Sequence, residues 1–131
     1  MAKVSSHTGK ELCRTEIASP SGNTVIADEP SDNGGQNMGF SPTELLTAAL
    51  AACTSVTLRM YADRKDWDLA EINTHIELTR DEAANKTAIT RSIQLIGNLD
   101  ETQKARLLEI ANSCPVHKML SNPIEIKTEL I

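Results

Sequence analysis

The stretch SPTELLTAALAACTSVTLRMYADRKDW, Ser41 to Trp67, constrains the fold more than any other part of the chain. It opens with a helix-start signal. Ser41 offers a side-chain oxygen to the first free N–H groups, Pro42 suits the first helical position, and Glu44 can reach back to the backbone of Ser41. The Ala- and Leu-rich run that follows carries no breaker, so one long helix is predicted from Ser41 to about Lys65. Leu45 to Met60 is apolar nearly all round, the pattern of a helix buried on several sides. A chain of 131 residues has little other material to cover it, so a second subunit is expected to do part of that work.

The flanking segments read as an α+β protein. Leu12 to Ala18 and Thr24 to Ala27 are β-like, joined by the turn residues Pro20 to Asn23. Glu29 to Gly39 is polar and holds Pro30 and three glycines, which predicts a flexible loop. After the long helix, Ile72, Thr74, Ile76 and Leu78 alternate with polar residues, and Thr87 to Ile96 is again β-like. Asp100 with Gln103 makes a second capping box, opening a helix with Leu107, Leu108 and Ala111 as its apolar stripe and its end near Asn112 or Ser113. Cys114-Pro115 starts a short helix through Leu120. Pro123 opens a last strand, with Ile124, Ile126, Thr128 and Leu130 on one face. The expected order is β-β-α-β-β-α-α-β in one domain over residues 1–131.

Charge and composition exclude several classes of function. The net charge is −5, and the chain holds one Trp, one Tyr and one Phe. That leaves neither the basic patch nor the stacking aromatics of a nucleic-acid binder, and nothing to attract an anionic membrane surface. Met1-Ala2-Lys3 is followed by polar residues rather than an apolar leader. The apolar run from Leu45 to Leu58 is interrupted by Thr47, Thr54, Ser55 and Thr57, short of the ~20 apolar residues that span a bilayer. A cytoplasmic, reducing location is expected. The three cysteines are then core fillers, metal ligands or redox thiols rather than a disulfide framework.

Two of the cysteines have suggestive settings. If Pro115 is the first residue of its helix, Cys114 is the N-cap, and the positive helix end favours the thiolate form. Cys53 lies mid-helix beside Ala51, Ala52 and Ser55, small neighbours that let another segment approach. The pair fits a nucleophile with its resolving thiol, but spacing alone is a weak signal, and each cysteine taken singly reads first as a buried filler. Cys13, between Leu12 and Arg14, reads as filler. His117 lies three residues after Cys114 and could join the two cysteines on a metal, although a zinc site wants four ligands, or three and a water; no metal and no organic cofactor is expected. His75 falls on the polar side of its strand, and Trp67 packs at a helix end.

The segments GFSPTELLTAALAACT (Gly39 to Thr54) and ANSCPV (Ala111 to Val116) resemble the two cysteine motifs of the family of osmotically induced protein C and organic hydroperoxide resistance protein (OsmC/Ohr). The order of elements is similar over nearly the whole chain. The resemblance implies an intertwined homodimer with the long helices at its centre. It also implies thiol-dependent reduction of organic hydroperoxides in oxidative-stress defence, with Cys53 as the peroxidatic and Cys114 as the resolving cysteine. An external dithiol would be the reductant. The chain departs from the peroxidase pattern at Thr43, where those members carry a Glu after the helix-starting Pro, and Arg14 is the only arginine before the helix. The alternative reading is a non-catalytic dimer of the same fold that holds an apolar small molecule in its interface pocket.

Overall fold

In the computed structural model, which describes residues 1–131, the amino-terminal strands β1 (Ser5–Thr8), β2 (Thr15–Ala18) and β3 (Thr24–Ala27) form an antiparallel sheet in that order. The β2–β3 turn closes through Ser19 N–H to Asn23 O at 2.9 Å, with Gly22 at φ 92°, a conformation open to glycine. β2 begins three residues later than expected, and β1 was not foreseen. All four residues of β1 are exposed, so it has no apolar alternation to betray it and pairs through its backbone alone.

At the end of β3 sits Asp28, 2% exposed. Its carboxylate accepts the backbone N–H groups of Cys13, Glu29, Gln36 and Met38 at 2.8 to 3.3 Å. The polar loop after Glu29 is therefore laced to one side chain, and it includes a short 3-10 turn at Ser31–Asn33. Burial pushes the Asp28 carboxyl up, but the four donors outweigh it and hold the group below its ordinary value.

The long helix is α1 (Pro42–Arg64). Its capping box is in place: Ser41 N–H donates to Glu44 Oε1 at 2.9 Å, and Glu44 N–H donates to Ser41 Oγ at 3.3 Å. The backbone and then the side-chain bond from Ser41 hold the Glu44 carboxyl below its usual range. Within the chain only the stripe Leu50, Thr54, Leu58 and Ala62 is buried. Leu46, Val56 and Met60 stay exposed. The most apolar 18 residues of α1 average a hydropathy of 1.3, so by length and composition alone the helix reaches the pattern of a bilayer-crossing segment despite its interrupted apolar run, a pattern that core helices share.

The chain forms two compact units, Met1–Leu46 and Thr47–Ile131. In the second, β4 (Asp68–Asp81) and β5 (Lys86–Asn98) make a long antiparallel hairpin. Ile72 pairs with Leu95, Thr74 with Ile93, Ile76 with Arg91 and Leu78 with Ile89. These eight side chains lie on the half-buried face, as strand alternation requires. Gly97 is needed where it stands, because a Cβ there would run into the carbonyl oxygen of Asp68. α2 (Glu101–Ala111) starts at the predicted Asp100–Gln103 capping box and has Asn112 as its C-cap. α3 (Pro115–Leu120) follows directly. Leu58, Ala62, Leu69, Leu107 and Ala111 form the core, with Tyr61, Trp67, Ile93 and Leu95 packed around it.

The predicted last strand is not formed: residues 123–131 have no regular structure. A strand exists only when its backbone finds a partner, and no strand of the chain takes this segment in. Ile124, Ile126 and Leu130 are 60%, 82% and 101% exposed. The observed order is β-β-β-α-β-β-α-α, still α+β, differing from the expected one at its two ends.

Candidate functional site

Cys53 sits on α1, half-buried, with Sγ 3.9 Å from the Thr57 hydroxyl one turn on. Its neighbour Thr54 is fully buried. The Thr54 hydroxyl donates to the Leu50 carbonyl at 2.7 Å, a bond back along its own helix. Its remaining capacity accepts Nη1 of Arg91 at 2.9 Å.

Cys114 is 0% exposed and is the N-cap of α3, with Pro115 at the first helical position. Its Sγ accepts the His117 N–H at 3.4 Å, as the sequence predicted for a capping cysteine. On either side of it stand Asn112 and His117, and both are held by the same guanidinium. Arg91 Nη2 lies 3.0 Å from Asn112 Oδ1 and 2.9 Å from His117 Nδ1. The three cysteines are free thiols.

Arg91 is thus the hinge pin of the site, and sequence reasoning missed it. The signal was present: period-two alternation places it between Ile89 and Ile93 on the inner face of β5, where a charge is unusual. It ties the residue after Cys53 to Asn112 and His117, two residues before and three after Cys114. His117, weighed as a metal ligand, serves as an acceptor for Arg91. No group of three or more His, Cys, Asp or Glu side chains is arranged to hold a metal.

A cleft of about 430 Å³ opens over this cluster. Leu50, Ile89, Ile93, Leu108 and Leu120 make its apolar walls; Arg91, Asn112 and His117, with the hydroxyls of Thr87 and Ser121, make its polar one. Neither cysteine lines it. In the other unit, Arg14 pairs with Glu16 at 2.9 Å on the surface. The Cys13 N–H is held by Asp28, and its thiol lies 3.9 Å from the Gly34 carbonyl. Glu44 is committed to its cap, and the Thr43 hydroxyl lies 3.5 Å from that of Ser41.

The sequence model of the OsmC-like protein family matches residues 34–129, which include α1, both strands of the hairpin and both later helices. The chain belongs to the OsmC family. A solved structure from Psychrobacter arcticus, named for an osmotic stress induced and detoxification response, is 26% identical. It aligns over 91% of this chain and 88% of its own, with a TM-score of 0.79. The organic hydroperoxide resistance protein OhrB of Bacillus subtilis is 25% identical over 91% of this chain and 89% of its own, at a TM-score of 0.62. An OsmC-like protein from Mycoplasma pneumoniae, 17% identical over 92% of this chain and 87% of its own, shares the fold at a TM-score of 0.79. Comparison with curated proteins yields no match. Because the OsmC family stretch contains α1 whole, that helix is an element of this fold, whatever its hydropathy.

Proposed function

We propose that this OsmC-family protein reduces organic hydroperoxides at the expense of an external dithiol, with Cys53 as the peroxidatic and Cys114 as the resolving cysteine. The observation that carries the assignment of roles is the unequal burial of two free thiols. Cys53 is half-buried and can be met by a peroxide, whereas Cys114 is sealed from solvent and suits the second, internal step. In the first step the Cys53 thiolate attacks the terminal peroxide oxygen. The O–O bond breaks, the expelled alkoxide takes up a proton from solvent and leaves as an alcohol, and Cys53 becomes a sulfenic acid. Cys114 then attacks that sulfur, water leaves, and a disulfide forms. The dithiol returns both cysteines to thiols and is itself oxidised to a disulfide.

The working form in this reading is a cytoplasmic homodimer. A second copy covers the exposed Leu46, Val56 and Met60 of α1 and the apolar side of the carboxy-terminal segment. Three observations favour the other reading, a non-catalytic dimer that holds an apolar molecule. Thr43 follows the helix-starting Pro42, Glu44 is used as a cap, and the cleft over Arg91 is lined by neither cysteine.

Stopped-flow consumption of cumene hydroperoxide and hydrogen peroxide with dithiothreitol separates the two. On the enzyme reading, wild type consumes the organic peroxide faster, Cys53→Ser abolishes turnover, and Cys114→Ser stops after one equivalent with a trapped sulfenic acid. Background consumption by all three proteins would sink the enzyme reading and leave the binding one.

A further inference from the structure

The polar wall of the cleft has an unusual hydrogen-bond balance. Arg91 is a permanent cation with N–H donors and no acceptor. Its three partners, Thr54 Oγ1, Asn112 Oδ1 and His117 Nδ1, are all neutral. Arg14, Arg59, Arg80 and Arg106 each pair with a carboxylate; Arg64 and Arg91 are in no ion pair, and Arg64 lies over the Tyr61 ring. The positive charge of Arg91 is held in place but not compensated.

The same three bonds decide what the wall shows to the cleft. With Nδ1 accepting, the neutral His117 ring carries its proton on Nε2, a donor. With Oδ1 accepting, Asn112 keeps its amide N–H groups, also donors. Arg91 retains two N–H groups of its own. Asn112 and His117 have each turned an acceptor to Arg91, so this trio offers the cleft N–H donors and one net positive charge, beside the hydroxyls of Thr87 and Ser121. Opposite it stand aliphatic side chains, among them Leu50, Ile93 and Leu108. The volume, about 430 Å³, is that of a small-molecule site, which runs roughly 300–1,000 Å³.

We propose that this cleft binds a small apolar carboxylate. A carboxylate is an acceptor-only head, and it supplies the missing negative charge through charge-assisted hydrogen bonds to Arg91, His117 Nε2–H and Asn112 Nδ2–H. The apolar body lies against Leu50, Ile93 and Leu108. The site needs neither cysteine and stands apart from the thiol chemistry.

The test is calorimetric titration of the full chain with octanoate, octanol, acetate and inorganic phosphate. Octanoate is expected to bind about tenfold or more tighter than each of the others. Arg91→Met should weaken octanoate by a similar factor and leave octanol unchanged. Leu108→Trp, which fills the cleft from its apolar side and leaves the polar wall untouched, should weaken octanoate and octanol together. Equal binding of octanoate and octanol overturns the proposal, as does phosphate binding as tightly as octanoate, undiminished octanoate binding in Arg91→Met, or no binding at all. Should Arg91→Met unfold, the ligand series on wild type and Leu108→Trp decides. The readout is binding, so a negative result leaves the peroxidase reading standing, and a protein without peroxidase activity can still bind octanoate.

Discussion

His117 Nδ1 lies 2.9 Å from Nη2 of Arg91, and since a guanidinium only donates, the imidazole accepts. That one bond fixes the ring's tautomer and joins α3 to β5. Its partner bond to Thr54 joins β5 to α1. The turns that carry Cys53 and Cys114 are thereby held through one side chain.

The neutral His117 ring should show the Nε2–H tautomer pattern in long-range nitrogen–proton NMR spectra. In Arg91→Met the acceptor loses its donor, and the pattern should average toward both tautomers. The same variant should lose about 1–3 kcal/mol of unfolding free energy, read by denaturant titration. An unchanged tautomer pattern would mean that the bond to Arg91 does not set the ring.

Asp28 governs a different segment. Its carboxyl lies below its ordinary value of 3.8 in the folded chain. A depressed acid contributes stability above its unfolded value and loses it as pH falls through the folded one. The Asp28 contribution should therefore be intact above about pH 5 and fade in the acid range below the ordinary carboxylate value. Asp28→Asn replaces two acceptors by one acceptor and one donor. Hydrogen exchange at Cys13, Glu29, Gln36 and Met38 should speed up roughly tenfold or more at neutral pH, with little change on the β4–β5 hairpin.

Neighbouring leucines on α2 should behave very differently. Leu107 is 0% exposed in the core and Leu108 is 59% exposed. Leu107→Ala should cost about 2–5 kcal/mol, and Leu108→Ala no more than about 0.5 kcal/mol. Similar losses at both positions would contradict the placement of the core.

Alkylation of native protein, followed by peptide mass spectrometry, should rank the thiols. Cys114, with no exposed surface, should react slowest. Cys53 should outrun Cys13 if it is the peroxidatic residue, although both are half-buried. In denaturant the three rates should converge.

The parts of the fold that were legible in the sequence are those written in local chemistry. Ser41 and Glu44, Asp100 and Gln103, and Cys114 before Pro115 all cap helices as their spacing predicts. The alternation of Ile72, Thr74, Ile76 and Leu78 gave the inner face of β4. The illegible parts depend on partners distant in sequence. β1 is a row of exposed polar residues that becomes a strand only because β2 lies beside it. The segment after Pro123 has the alternation of a strand and no neighbour to pair with. Arg91 is illegible because the family resemblance points to a cation before the long helix, where only Arg14 stands, while the guanidinium that reaches Thr54 comes from the inner face of β5.

The exposed isoleucines of residues 123–131 bear on how the stability of this protein should be measured. Apolar side chains that the folded chain leaves in water contribute only when another molecule removes them from it. In a protein that associates through such a surface, part of the folding free energy is set by mass action, and the melting temperature climbs with protein concentration. Dilution would then act as a denaturant, and no single melting temperature could be quoted without the concentration at which it was read.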